Sequence, residues 1–139
     1  MQTKKFNNKI IVRIDKGEEI VKSLTKVCQD NNITLGSISG IGATNKVTIG
    51  LFDVATKKYH SKELIGNYEI VPLLGNISTM DNKIYLHLHI NLCDSNHNSF
   101  GGHLNSAIVS ATCECVIDII DGKINRKFSD EIGLNLINI

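Results

Sequence analysis

Apolar and polar residues alternate with a period of two over most of this chain, and a single stretch carries the period of a helix. Ile10, Val12 and Ile14 alternate with Ile11 and Arg13 and predict a strand. Asp15-Lys16-Gly17-Glu18 then reads as a helix start, with Asp15 as N-cap and Glu18 three residues on, able to reach back. Ile20, Leu24, Val27 and Cys28 form one helical stripe, Glu19, Lys22, Lys26 and Gln29 face away from it, and Asp30-Asn31-Asn32 ends the element. From Ile33 onward, short apolar runs broken by turn residues predict strands at Thr34–Ser39, Val47–Asp53, Tyr68–Leu74, Ile84–Cys93, Val109–Ile120 and Lys123–Phe128. Asp81-Asn82 and Asp121-Gly122 are two-residue hairpin signals, because Asn and Gly tolerate the positive φ such turns require. The pattern predicts an α+β fold: a mostly antiparallel twisted sheet with one main amphipathic helix packed on it. Strands this short leave edges to be covered by the helix or by another chain, which points to an oligomer.

At 139 residues the chain fits one domain spanning 1–139, and a chain of this size buries about two-thirds of its unfolded surface. Hydrophobic residues make up 42% and charged residues 21%, an ordinary globular balance, and with one proline (Pro72) there is no linker, repeat or low-complexity stretch. Fifteen basic residues against fourteen acidic ones leave a net charge of +1, without the basic excess of a protein that lives on phosphate backbones. Lys4, Lys5, Lys9 and Arg13 interrupt the amino terminus, which never offers the about 7–15 apolar residues of a signal core. The apolar runs are also too short to span a bilayer. A soluble, cytoplasmic protein with no membrane partner is the expectation.

Cys28, Cys93, Cys113 and Cys115 form no C-x-x-C pair, so free thiols are expected rather than a structural zinc knuckle. Cys113 and Cys115 flank Glu114 and share a face with Ala111, Ile117 and Ile119, which reads as core. Gly40-Ile41-Gly42 invites a nucleotide-binding reading, but the third glycine position is Asn45 and the residues after it are strand-like. A glycine-rich turn between two strands accounts for it.

Ile84 to Leu104 holds three of the five histidines. Ile84, Leu86, Leu88, Ile90 and Leu92 alternate with Tyr85, His87, His89, Asn91 and Cys93, which puts His87 and His89 on one strand face. Residues two apart on a strand lie about 6–7 Å from each other, within reach of a shared ion. Gly101-Gly102-His103-Leu104 can deliver a third imidazole, since two glycines free the backbone to bring a side chain close. The spacing fits a divalent metal site of His87, His89 and His103, with zinc first and iron or nickel as alternatives, and it equally fits histidines hydrogen-bonded at a subunit contact. Three imidazoles would leave a coordination position open to a small ligand, as metal-dependent lyases and hydrolases require. Asp53, Glu69 and Glu114 are the strand carboxylates available as a base or as histidine-orienting partners, and each fits a salt bridge as well. His60 and His97 sit in polar contexts and read as solvated. No G-x-S-x-G elbow is present, and Cys93 on the histidine face is a neighbour of the site as readily as a nucleophile.

Taken in order, Gly40 and Gly42, Gly50-Leu51-Phe52-Asp53, Gly66-Asn67-Tyr68-Glu69-Ile70, Leu74-Gly75-Asn76-Ile77-Ser78, His87-Leu88-His89, Gly101-Gly102-His103-Leu104 and Thr112-Cys113-Glu114 resemble the plant and prokaryote conserved (PPC) domain over nearly the whole chain. The resemblance implies a compact α+β domain assembled as a homotrimer, a DNA-binding label, and metal-site positions at His87, His89 and His103. It also implies likeness to the fold of acetolactate decarboxylase, a three-histidine zinc enzyme acting on a small oxo acid. Where family members commonly have glycine, this chain has Asn82 and Asn98, both expected to take the left-handed turn conformation. The AT-hook of DNA-binding plant members, with its R-G-R-P core, has no counterpart here: the two arginines are Arg13 and Arg126.

Overall fold

The alternation resolves into strands that are mostly longer than the apolar runs predict. The computed structural model describes residues 1–139. Its elements are β1 (Gln2–Phe6), β2 (Lys9–Asp15), α1 (Ile20–Asp30), β3 (Gly36–Asp53), β4 (Lys58–Met80), β5 (Lys83–Cys93), β6 (Ser99–Ile119), β7 (Arg126–Ser129) and β8 (Leu134–Ile137). Thr34–Ser39 and Val47–Asp53, expected as two strands, are largely the two halves of β3. Gly40–Gly42 is therefore not a turn between strands. It is a point inside β3 where the register against β4 shifts between Gly40 and Gly42 and that against β6 shifts just after Gly42, and glycine often marks such an irregularity in a strand.

The other boundaries move for similar reasons. Tyr68–Leu74 is the centre of the 23-residue β4. β1 went unpredicted because all five of its residues are exposed and leave no apolar alternation to read. Asp81 and Asn82 do make the tight β4–β5 turn, with φ of +51° and +60°. Asp121-Gly122 makes no hairpin: β7 pairs with β8 in a separate ribbon, not with β6. The helix starts later than expected, because Asp15 stays in β2 and Glu19 is the N-cap, accepting from the amides of Val21 and Lys22. Glu18 does reach back, to the amide of Asp15 at 2.8 Å.

The main sheet is antiparallel in the order β1-β2-β6-β3-β4-β5, and β6 also pairs with β5. β3, β4, β5 and β6 thus close on one another, with His89–Cys93 of β5 paired to Ser99–His103 of β6. α1 lays Ile20, Leu24, Val27 and Cys28 into a core built from alternate residues of the strands, among them Ile10, Val12 and Ile14 of β2, Leu88, Ile90 and Leu92 of β5, and Cys113, Cys115 and Ile117 of β6. Each such aliphatic side chain contributes about 1.5–3 kcal/mol on burial. Ala111, expected in the core, is exposed, because β6 bulges between Val109 and Cys113 where they face Thr44 and Gly42. The four thiols are unpaired by disulfides. No helix is long and apolar enough to cross a membrane.

Candidate metal centre

The inward run of β5 fixes where its outward side chains stand. Leu88, Ile90 and Leu92 are 0–2% exposed, so His87 and His89, which alternate with them along the strand, face away from the core. His89 lies directly opposite His103 in the β5–β6 ladder. His103 thus comes from a strand and not from a glycine loop. Gly101 and Gly102 act through close approach: a Cβ on the first would lie 2.2 Å from the Ile90 carbonyl oxygen, and on the second 2.8 Å from that of Gly50. Any larger residue would push β6 off its neighbours and His103 away from His89.

The three rings converge, with centroids 5.1 Å (His87–His89), 5.3 Å (His87–His103) and 5.5 Å (His89–His103) apart. One ligand nitrogen from each falls within 4.8 Å of the other two. The Nε2 atoms of His87 and His89 are 3.2 Å apart, close to the about 3.3 Å edge of a tetrahedron whose metal–nitrogen bonds are about 2.0–2.1 Å. Burial, reinforced by the charges of Arg126 and the other two histidines, pushes His87 down to about 4. His103 is lowered too, by burial and by His89. Both imidazoles are therefore unprotonated near neutral pH, as a ligand must be. A set of three imidazole nitrogens suits zinc, iron or nickel and leaves at least one coordination position free.

None of the three candidate carboxylates joins the cluster. Asp53 closes the β3–β4 turn, accepting from the amides of Ala55 and Thr56, and those bonds hold it below the usual carboxylate range. Glu69 pairs in the ladder with Cys93, and Glu114 stands opposite Arg13. Cys93 lies four residues beyond His89, its thiol directed at the Asp94 carbonyl, 3.8 Å away. His60 is exposed on β4, on a strand rather than in a loop, and His97 is exposed in the β5–β6 connection. It is His97, at φ +63°, that takes the left-handed conformation expected of Asn98. Asn98 instead donates its amide to the Asp94 carboxylate at 2.9 Å.

Two neighbours of the cluster were not anticipated. Tyr59 of β4 sets its ring edge-on to His103 at 6.4 Å and donates its hydroxyl to Asn105. Arg126 of β7 lies over Tyr85 and bonds Asn76, the ladder partner of His87. Beside His89 opens a cavity of about 300 Å³ lined by Pro72, Leu74, Asn91 and the two glycines.

The Plants and Prokaryotes Conserved (PCC) domain matches residues 1–121, a span that takes in all three histidines. This chain belongs to the PCC family. A solved PCC-like relative, a putative DNA-binding protein from Bacteroides thetaiotaomicron, is 40% identical, with 99% of this chain and 96% of that one covered at a TM-score of 0.96. A metal-containing protein from Archaeoglobus fulgidus is 32% identical over 99% of this chain and 96% of its own, with a TM-score of 0.87. The α-acetolactate decarboxylase of Bacillus subtilis is 18% identical, covers 88% of this chain and 57% of its own, and has a TM-score of 0.58, a likeness of fold alone. None of the curated proteins matches the chain. The PCC domain with its α+β architecture is thus the frame on which the histidines are mounted.

Proposed function

We propose that this PCC-domain protein holds a divalent metal ion, zinc before iron or nickel, between His87, His89 and His103, with a coordination position left for a small polar ligand. One observation carries the reading: three imidazoles from two paired strands bring a nitrogen each within 4.8 Å of the others. The metal-containing name of the Archaeoglobus fulgidus relative supports it. An ion there supplies an electrophile able to polarise a carbonyl oxygen or acidify water. The chain's own part is to hold His87 and His103 neutral and to keep β5 and β6 in register. Metal analysis of protein purified without an affinity tag tests the reading: wild type should carry about one ion per chain and the His87→Ala, His89→Ala double variant almost none. Equally low metal in both would overturn it.

The same outer face favours self-association as a homotrimer. Across the ladders, Ile11 faces Val116, Val116 faces Ser39, Ser39 faces Leu74 and Leu74 faces His89. Ile11, Val116, Leu74 and nearby Ile41 are 36–62% exposed, an apolar row running up to the metal site that a second copy would cover. Sedimentation at micromolar protein should give three times the chain mass, and a monomer would remove the trimer.

A catalytic use, as a lyase or hydrolase of a small metabolite, is favoured by the cavity beside His89. Turnover of small oxo acids or esters by metal-loaded wild type, absent in the double variant, is its test. DNA as a partner comes from the name of the Bacteroides thetaiotaomicron relative. With a net charge of +1 the chain has little sequence-independent hold on phosphates. Retention of duplex DNA in a gel shift at low salt, fading as salt rises, would sustain that role; free duplex at low salt would end it.

A further inference from the structure

Arg126 is the only buried charged side chain in the protein, 8% exposed, and none of the ion pairs includes it. Its partners are all neutral. Nε donates to Ser78 Oγ, one terminal nitrogen to the Asn135 carbonyl and the other to Asn76 Oδ1, each at 2.8 Å, and the guanidinium lies 4.8 Å from the Tyr85 ring centre. A guanidinium carries five N–H donors, so three named acceptors leave two donors, and the whole positive charge remains without an anion. Burying a cation in this way is costly unless something balances it.

Its position says what could. In the β4–β5 ladder Asn76 faces His87 and Ser78 faces Tyr85. Arg126 therefore sits on the histidine face, one step along the strands from His87, and its charge reaches that ring. A divalent ion among the histidines would place further positive charge beside it. An anion at the ion's free position would offset both.

We infer that the ligand drawn to the histidine centre is a small anion, for which a carboxylate is the probe, and that Arg126 is the counter-charge that selects it. The inference rests on the metal reading above. Cation and anion then strengthen each other's binding, and by linkage the gain is the same from either side. Arg126 acts through space and need not touch the anion.

The test titrates metal-stripped, tag-free protein with cobalt(II), followed by its visible absorption, with and without acetate. Wild type should bind cobalt about tenfold more tightly with acetate present. Arg126→Gln should lose most of that gain. Ser78→Asp should lose it as well, because it puts a carboxylate at the atom that already accepts from Nε while leaving the tether of β7 in place; it decides the matter if Arg126→Gln does not fold. Arg126→Lys, which keeps the charge, should retain part of it. Cobalt bound with unchanged affinity in acetate would overturn this inference and leave the metal reading standing. An acetate gain equally large in Ser78→Asp would overturn the role of Arg126. No cobalt uptake by folded wild type would overturn the metal reading and this inference with it.

Discussion

Leu88, Ile90 and Leu92 point from β5 into the core, while His87, His89 and Asn91, interleaved with them on the same backbone, point out. The inner residues are interchangeable in kind: what the core needs of them is volume and the absence of polar atoms. The outer ones are not, since each brings a donor whose partners must be supplied from elsewhere. Packing on one face thereby sets the position of chemistry on the other, and a one-residue slip would exchange the two sets.

The sharpest way to break this division is from the inside. Leu88→Ala, at 1% exposure, should cost about 2–5 kcal/mol in denaturant unfolding and weaken metal binding without touching a ligand. Unchanged metal affinity in that variant would mean that the histidines are not positioned by the core. Arg126→Met should cost about 1–3 kcal/mol, since Ser78, Asn76 and the Asn135 carbonyl lose their donor; a thermal melt at neutral pH reads it.

Acid probes the outer face directly. His87 titrates near 6.5 when unfolded and near 4 when folded, so between those values the unfolded chain binds more protons. The contribution of His87 to stability is complete above pH 6.5 and is lost as pH falls towards 4. Discounted because the ring is partly open to solvent, the loss is about 1–2 kcal/mol, and His87→Ala should remove it from the pH profile of unfolding. Glu19→Ala should cost about 1 kcal/mol through the lost helix cap. The smallest effect belongs to the ligands themselves: the metal-free His87→Ala, His89→Ala variant should lie within about 0.5 kcal/mol of metal-free wild type, after allowing for the titration of His87. A larger loss at neutral pH would show that the outer face also holds the fold.

The alternation from Ile84 to Cys93 made β5, its buried face and the shared direction of His87 and His89 legible in the sequence, because strand periodicity encodes sidedness. It could not reveal that His103 stands opposite His89. Register between distant strands depends on bends at Gly40–Gly42 and at the bulge after Val109, which are set by packing across the closed sheet. For the same reason Thr34–Ser39 and Val47–Asp53 looked like separate strands. Arg126 was hidden more thoroughly. Inside Lys123–Phe128 it reads as one more exposed cation, and only the docking of the β7–β8 ribbon over Asn76, Ser78 and Tyr85 buries it.

The most direct measurement on the histidine centre is an anomalous-difference map from crystals of untagged protein, collected on both sides of the zinc, iron and nickel absorption edges. A peak about 2.0–2.1 Å from one nitrogen each of His87, His89 and His103, appearing at one element's edge, is the predicted result. Ordered rings hydrogen-bonded to one another with no anomalous peak between them would contradict it.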